Sequence, residues 1–262
     1  GAAFFMSRPL HRRHFLTALG AGAAGIAAAP FVSTARAEET ITWKMVTSWP
    51  ENFPGLGTTA QRFADTVARL SNGRLSIQVF AAGALVPALE VFDAVSSGTA
   101  ELGHSAAYYW KGKSAAAPFF TAVPFGMNAQ EMNAWLYEGG GLELWQKAYD
   151  PLGVVPLPCG NTGVQMAGWF NKEINSLDDL QGLKIRMPGF GGEVLARAGA
   201  TTVNLPGSEI FTSLQTGVID ASDWVSPYND LAFGLYQVFA GIINPAGSPA
   251  LSQEEVAVGR GP

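Results

Sequence analysis

The chain has 262 residues, of which 14% are charged and 48% hydrophobic, and its formal net charge is −5. An acidic chain is a poor nucleic-acid binder, because lysine and arginine must neutralise phosphates in such complexes. Cys159 is the only cysteine, so an internal disulfide is excluded and a buried core must stabilise the fold.

The first 37 residues are typical of an export signal. Arg12 and Arg13 precede an apolar stretch rich in Ala and Gly (15–32), and Ala35-Arg36-Ala37 has the small-x-small pattern of a cleavage site. The paired arginines favour the twin-arginine route. The stretch is too short and too poor in large side chains for a membrane span of about 20 apolar residues. We therefore predict an N-terminal extension and signal peptide over 1–37, cleavage after residue 37, and a periplasmic product.

The next segment, 38–155, is predicted to form a first α/β lobe. Short apolar runs predict strands at 41–48, 75–80 and 100–106. Amphipathic runs predict helices at 57–70, 87–98, 129–138 and 141–150, the second of them beginning at a proline and ending at a glycine. A further strand is predicted at 153–158.

Residues 156–240 are predicted to form a second, incomplete α/β lobe. Strands are predicted at 164–170, 183–187, 201–206 and 218–225, and helices at 191–199 and 208–217, with a capped turn at 176–182 where Asp179 follows Ser176 by three residues. The alternation of strand and helix favours mainly parallel sheets. The sequence from 241 to 262 lacks the periodic pattern of a helix or strand, and we interpret it as an aberrant, frame-shifted tail.

Motifs for catalysis are weak. His104 is the only histidine beyond residue 37. A Ser-His-Asp triad, or a Cys-His pair with Cys159, would therefore have to use His104 as its base. The glycines at 139–141 do not follow a strand, which argues against a phosphate-binding loop. Asp178 and Asp179 lie on an exposed-looking turn, where a solvated helix start explains them. We therefore predict that the chain is not an enzyme and has no catalytic residues.

Four stretches place polar or aromatic groups where predicted strands end or next to glycines, the positions at which open α/β sheets bind ligands. They contain Tyr108-Tyr109-Trp110, Asn161 with Gln165, Arg186, and Asp223 with Trp224. Each stretch alone is ordinary. Together they supply a guanidinium, an amide, a carboxylate and several rings, which suit a small carboxylate held by arginine between aromatic walls.

Longer motifs resemble those of one family. VTSWP (46–50), IQVFAAGALVP (77–87), TAVPF (121–125), NAWLYEGGG (133–141), GNTGVQMAGWF (160–170), LKIRMPGFGGEVL (183–195), LQTGVIDASDWV (214–225) and PYNDLAFGLY (227–236) are similar to the solute receptors of TRAP transporters, the DctP family, and are most similar to its receptors for α-keto acids. The resemblance runs from about residue 41 to about residue 239. It implies a type II-like, two-lobe periplasmic binding protein whose C-terminal part is truncated here.

The resemblance also implies roles for individual residues. Arg186 matches the arginine that anchors the ligand carboxylate, and Tyr108, Tyr109, Asn161 and Trp224 match residues that line the site. In the α-keto acid receptors a cation, Na+ or Ca2+, bridges ligand and protein. Its ligands match Gln165, Asp223 and the backbone carbonyl of Trp224. Gln165 and Trp224 therefore belong both to the residues that contact the ligand and to those that bind the cation. Partners implied in this way are a small organic anion, the TRAP membrane permease subunits and, in full-length relatives, a second copy of the chain.

Two departures from the family pattern bear on these roles. The α-keto acid receptors carry glutamate where this chain has Asp223, and the shorter arm would draw the carboxylate back from a cation. The family also continues past residue 240 with a segment ending in Pro-Gly-Trp. A shifted reading frame of Gly-Ile-Ile-Asn-Pro-Ala-Gly (241–247) can encode Tyr-His-Gln-Pro-Gly-Trp, which is the basis of the frameshift interpretation.

The leading hypothesis is therefore a TRAP solute-binding subunit for a 2-oxo acid such as pyruvate, taken up by sodium-driven transport. Two alternatives remain open at this point. One is a receptor for another organic anion, such as a C4-dicarboxylate, lactate or a sugar acid. The other is an exported α/β enzyme.

Overall fold

A computed structural model describes residues 40–238, together with the backbone of 241–243 and 251–259. The predicted signal peptide, its twin arginines and its cleavage site fall outside these residues, as do 244–250 and 260–262 of the predicted tail.

The first sheet has five strands: β1 (Ile41–Thr47), β2 (Leu75–Phe80), β3 (Leu102–Ala106), β4 (Val154–Val164) and β10 (Leu251–Gly259), in the order β2-β1-β3-β10-β4. β1 pairs in parallel with β2 and with β3, in the registers Ile41↔Leu75 and Met45↔Leu102. β10 lies antiparallel between β3 and β4.

Four helices accompany this sheet: α1 (Leu56–Leu70), α2 (Val91–Ser96), α3 (Ala129–Tyr137) and α4 (Gly141–Tyr149). The start of α3 shows why the sequence folds locally as predicted. Asn128 Oδ1 accepts hydrogen bonds from the N–H groups of Gln130 and Glu131 at 3.0 and 3.1 Å, and Glu131 Oε2 accepts one from the N–H of Asn128 at 2.8 Å. This reciprocal capping box satisfies the amides that a helix start leaves without partners.

The second sheet also has five strands: β5 (Gly168–Phe170), β6 (Lys184–Arg186), β7 (Thr201–Val203), β8 (Ala221–Ser222) and β9 (Gly241–Ile243), in the order β7-β6-β8-β5-β9. β6 pairs in parallel with β7 and with β8, whereas β5 pairs antiparallel with β8 and β9. Its helices are α5 (Gly189–Arg197), α6 (Gly207–Gln215) and α7 (Pro227–Ala232). The predicted α/β architecture with parallel strand pairs is confirmed.

Several predicted bounds were wrong. The strand predicted at 153–158 extends to residue 164 as β4, because its pairing with β10 continues through Gly160 and Asn161 to Val164, and the strand predicted at 164–170 is shortened to β5. β4 therefore crosses residue 155 and belongs to the first sheet, while the division into two lobes there stays a prediction. The helix predicted at 87–98 is shortened to α2. Strand 218–225 is shortened to β8. The tail, expected to lack regular elements, contributes β9 and β10.

Buried clusters cover both sheets. One cluster lies under α2, α3 and α4 and includes Phe92, Trp145 and Tyr149. Another joins elements of the two sheets, with Trp49 and Phe53 from the first and Trp169 and Trp224 from the second. Because this second cluster contains several buried aromatic rings, it fixes the elements that carry the polar residues described below.

No helix within residues 40–238 combines the length and the apolar composition that a membrane span requires.

Candidate functional site

Arg186 ends β6 and is only 1% exposed. A buried guanidinium is costly unless its N–H groups are satisfied, and here they are nearly all used. Nη1 donates to Oδ1 of Asp223 at 2.8 Å and to the Asp223 carbonyl at 3.2 Å, Nε donates to the Leu205 carbonyl at 3.1 Å, and Nη2 donates to the Tyr109 hydroxyl at 3.1 Å. Of the five N–H groups of an arginine, one on Nη2 is left without a partner among the described residues.

The electrostatics keep this arginine charged. Burial lowers the pKa of Arg186, but Tyr109 and the Asp223 carboxylate raise it by a larger amount, so the net shift is upward. Burial raises the pKa of Tyr109, which keeps its phenol protonated as a neutral hydrogen-bonding group. The guanidinium also lies over the Trp224 ring, with Cζ 5.1 Å from the ring centroid. The site therefore holds a permanently charged guanidinium that is fixed in position.

Asp223 follows β8 and is 8% exposed. Its amide donates to the Arg186 carbonyl at 3.2 Å, so the two residues are joined through backbone as well as side chain. Burial raises the pKa of Asp223, and Arg186 offsets part of that increase. Oδ1 is occupied by Arg186, while Oδ2 has no hydrogen bond to a described residue.

A cavity of about 230 Å³ lies beside this pair. Its polar wall consists of Tyr108, Gln165 and Asp223. The other walls are almost entirely apolar and come from three segments, 122–125, 166–170 and 187–195. Pockets for drug-sized ligands span about 300–1,000 Å³, so this cavity suits a smaller molecule with a few polar groups at one end.

Gln165 places an amide oxygen at the cavity. It follows β4 directly, is 8% exposed, and its Nε2 donates to Thr162 Oγ1 at 3.3 Å. Oε1 is consequently left without a hydrogen bond to the described residues. Gln165 Oε1 and Asp223 Oδ2 are thus two oxygen atoms available at the same cavity.

The two tyrosines take different places. Tyr108 lines the cavity, whereas Tyr109 lies behind it against Arg186, and the two rings meet edge to face with centroids 4.7 Å apart. Gly189, at the start of α5, packs against Tyr108: its φ is +63° and a Cβ there would lie 2.9 Å from Tyr108 Cβ. Only glycine allows the helix to begin this close to the tyrosine.

The structure brings most of the predicted site residues together, but not all. Tyr108, Gln165 and Asp223 line the cavity, and Arg186 with Tyr109 forms the layer behind it. Trp224 is 5% exposed and packs under Arg186, away from the lining. Asn161 lies within β4, where its Oδ1 accepts from the Gly163 amide at 2.7 Å, and it is not part of the lining either.

Comparison with known proteins identifies the family. Residues 45–254 match bacterial extracellular solute-binding protein family 7, DctP. A monocarboxylate 2-oxoacid-binding periplasmic protein of Nostoc sp. is 52% identical over 195 residues, which are 74% of this chain and 53% of that protein. The chain belongs to the DctP family.

Solved structures agree with this membership. A TRAP periplasmic solute-binding protein from Pseudoalteromonas atlantica, solved with sodium and pyruvate bound, is 45% identical with a TM-score of 0.81. One from Colwellia psychrerythraea, solved with calcium and pyruvate, is 46% identical with the same score. Each match covers 84% of this chain and 67% of the solved chain. The chain thus spans about two thirds of these structures and about half of its curated relative.

The cation seen in these two DctP relatives can be tested against the residues present here. Within the described residues no three His, Cys, Asp or Glu side chains cluster as metal ligands. The candidate set is instead one carboxylate oxygen of Asp223, the amide oxygen of Gln165 and the predicted carbonyl of Trp224. Hard cations such as sodium and calcium take oxygen ligands of these kinds, so the donor chemistry fits. Asp223 keeps an oxygen available despite its ion pair with Arg186.

The residues that could have suggested an enzyme have structural roles in this DctP chain. His104 is fully buried in β3, accepts a hydrogen bond from Trp49 Nε1 at 2.6 Å on Nδ1, and has a pKa lowered to about 4 by burial. Cys159 packs against the cluster under α1. Asp179 Oδ2 accepts from the amides of Asn175 and Ser176 at 2.9 and 2.8 Å, which confirms the predicted capped turn.

Sequence reasoning missed part of the site. The apolar walls include Phe125, Met166, Phe170, Met187 and Leu195, and none was predicted to contact a ligand. The Leu205 carbonyl, which accepts from Arg186, was also missed. Most of these residues lie inside motifs that carry the family resemblance, but only the folded chain shows which of their side chains face a common space.

Proposed function

We propose that this chain is the solute-binding subunit of a TRAP transporter and binds a small 2-oxo acid, such as pyruvate, together with Na+ or Ca2+. The observation that carries the proposal is the buried, charged Arg186 behind a small cavity whose polar wall includes Gln165 and Asp223. Related proteins of this fold, about 45% identical, were solved with pyruvate and either cation, which supports the same ligand class here.

The chemistry of the ligand follows from the donors. The unpartnered N–H of Arg186 suits one carboxylate oxygen. Gln165 Oε1 and Asp223 Oδ2 would hold the cation, whose positive charge would offset the repulsion between an anionic ligand and Asp223. A cation in the site is what makes a carboxylate beside Asp223 energetically acceptable. The proposal assigns binding, not catalysis, to these residues.

The wider role is part of the same proposal. A solute-binding subunit of this kind would act in the periplasm and deliver the ligand to TRAP membrane permease subunits for sodium-driven uptake. Family membership supports a location outside the cytoplasmic membrane. Export by the twin-arginine route and pairing of two copies of the chain stay predictions from the sequence.

The test is a thermal-unfolding panel on the purified chain, with pyruvate, lactate, succinate and glucuronate, each with and without Na+ or Ca2+. A ligand that binds only the folded state at a hundred times its Kd adds about 2.7 kcal/mol of stability. We expect pyruvate to give the largest shift, and only with a cation present. A shift with succinate or glucuronate alone would identify the other anion class, and no shift with any acid would overturn the proposal.

Variants locate the site in the same panel. Arg186→Lys keeps a positive charge but loses the planar group that contacts four acceptors, so we expect loss of the pyruvate-dependent shift. Arg197→Lys is the matched control, because Arg197 is an exposed arginine at the end of α5. If both variants keep the full shift, Arg186 is not the anchor.

A further inference from the structure

Phe125 has a backbone conformation that a phenylalanine rarely adopts. Its φ is +58°, in the left-handed region. It is the third residue of a turn closed by a hydrogen bond from the Gly126 amide to the Val123 carbonyl at 2.9 Å, with Pro124 in second place. Proline followed by a residue of positive φ is the pattern of a type II turn, whose third position normally carries glycine. A bulky residue there is strained.

Packing does not account for this phenylalanine. Phe125 is 79% exposed, so its ring contributes little to a buried core. Exchanging Phe125 and Gly126 would not relieve the turn either. A Cβ at position 126 would lie 2.8 Å from the Val123 carbonyl oxygen, so glycine is required there. A strained residue with a solvent-exposed apolar side chain has neither of the ordinary structural reasons to persist. Strain of this kind tends to occur at ligand sites.

The ring does have a place at the cavity. Phe125 lines it together with Ala122 and Pro124, and further apolar lining comes from Val194 and Leu195 of α5. Val194 is also 51% exposed, so Phe125 and Val194 are two large apolar side chains of the lining that are largely exposed to solvent. The polar groups of the lining, Tyr108, Gln165 and Asp223, come from other segments of the chain.

We propose that Phe125 is a specificity-determining residue whose ring covers the apolar part of a bound 2-oxo acid. This inference rests on the proposed function, since it assumes that the acid and oxo groups lie at Gln165 and Asp223. The ring then contacts whatever extends beyond the oxo carbon. Ligands with an aliphatic side chain gain this contact, whereas pyruvate, with only a methyl group, gains little of it.

The experiment compares two probes on the full chain by isothermal titration calorimetry, with Ca2+ present: pyruvate and 4-methyl-2-oxopentanoate. In Phe125→Gly the affinity for 4-methyl-2-oxopentanoate should fall at least tenfold, while the affinity for pyruvate stays within threefold. Because glycine accepts positive φ, the variant without ligand should melt at the same temperature as the parent chain or above it. Phe125→Leu should recover part of the lost affinity.

Two control variants separate this role from general effects. Asn72→Gly relieves another positive φ, of 53°, at an exposed turn far along the chain from the cavity segments. Tyr228→Ala removes another exposed aromatic ring, on α7, that is not part of the lining. Both should leave the two affinities unchanged.

Each other outcome decides against one of the two proposals. Equal losses for both probes, or no loss for either, would overturn the role of Phe125 and leave the proposed function in place. A parent chain that binds pyruvate but not 4-methyl-2-oxopentanoate would also overturn it. A parent chain that binds neither probe would instead contradict the proposed function.

Discussion

Arg186 and Asp223 form a buried ion pair in which Nη1 donates to Oδ1 at 2.8 Å, with side chains 1% and 12% exposed. The same nitrogen also contacts the Asp223 carbonyl, and the Asp223 amide contacts the Arg186 carbonyl. The pair therefore connects the end of β6 to the segment after β8 and leaves one carboxylate oxygen at the cavity. Its structural role and its proposed role in ligand binding can be tested separately by mutation.

Removing the carboxylate should destabilise the chain strongly. Asp223→Ala leaves a buried guanidinium without its counter-charge, a change that costs about 3–5 kcal/mol. Urea denaturation followed by tryptophan fluorescence measures it. Asp93→Ala is the control, because Asp93 pairs with Lys113 at a comparable 2.7 Å but with side chains 56% and 38% exposed. Exposed pairs contribute about 0.2–1 kcal/mol, so equal losses in the two variants would show that the Arg186 pair is not effectively buried.

Replacing Gln165 should affect cation binding more than stability. Gln165→Ala removes a neutral oxygen from the cavity and gives up only a 3.3 Å hydrogen bond to Thr162. We expect the Kd for Ca2+ in the presence of pyruvate to rise about tenfold, equivalent to about 1.4 kcal/mol, with little change in the urea midpoint. Asn161→Ala is the control, because Asn161 lies outside the lining. A larger effect of Asn161→Ala would reverse the assignment of the two amides.

The extent of sequence prediction can be judged from these same residues. Helix and strand positions followed from apolar periodicity and from Gly and Pro at their ends. Arg186 and Asp223 stood out because they lie near the ends of predicted strands, and Gln165 because it leads into one. Those signals are local. Asn161 had the same local signal and yet lies along β4, because the pairing of that strand with β10, distant in sequence, extends the strand through it.

Long-range packing also explains what the sequence did not predict. The apolar wall of the cavity combines residues 122–125 with 187–195, and no periodic pattern relates segments that far apart. The sequence did not single out Phe125, since its positive φ is visible only in three dimensions. Trp224 was expected in the site through its backbone carbonyl. Its side chain is buried, and its ring packs against the guanidinium of Arg186.

His104 should remain neutral well into the acid range. Burial lowers its pKa from 6.5 to about 4, so the unfolded chain takes up a proton at higher pH than the folded chain. Stability from this residue is therefore complete above about pH 6.5 and is lost as the pH falls towards 4, by roughly 3 kcal/mol in all. The NMR resonance of the His104 imidazole can be assigned because it is absent from the His104→Gln variant. This resonance should show no titration above pH 5. A midpoint near 6.5 would contradict the buried setting.

Asp230 should act on stability in the opposite sense. It accepts hydrogen bonds from Trp169 Nε1 at 2.7 Å and from the amides of Val225 and Ser226 at 3.1 Å, and burial raises its pKa to about 6. The folded chain holds this proton more tightly than the unfolded chain, so the contribution of Asp230 to stability decreases as the pH rises from about 4 to about 6. Asp230→Asn should remove that slope. If parent and variant show the same pH dependence between 4 and 6, Asp230 does not titrate in this range.

Gly189 tests whether the start of α5 positions Tyr108 at the cavity. In Gly189→Ala the new side chain is placed on a backbone with a positive φ of 63°, and its Cβ lies 2.9 Å from Tyr108 Cβ. Gly217→Ala meets a similar φ of 72° but no atom within 4 Å, so it measures the backbone strain alone. That strain should cost Gly217→Ala about 1–2 kcal/mol.

We expect Gly189→Ala to lose more stability than that in urea denaturation and to weaken pyruvate binding, because Tyr108 must move. Since Gly217 lies away from the cavity lining, its variant should keep the parent Kd. Equal effects of the two variants on stability and on Kd would show that contact with Tyr108 does not constrain the site.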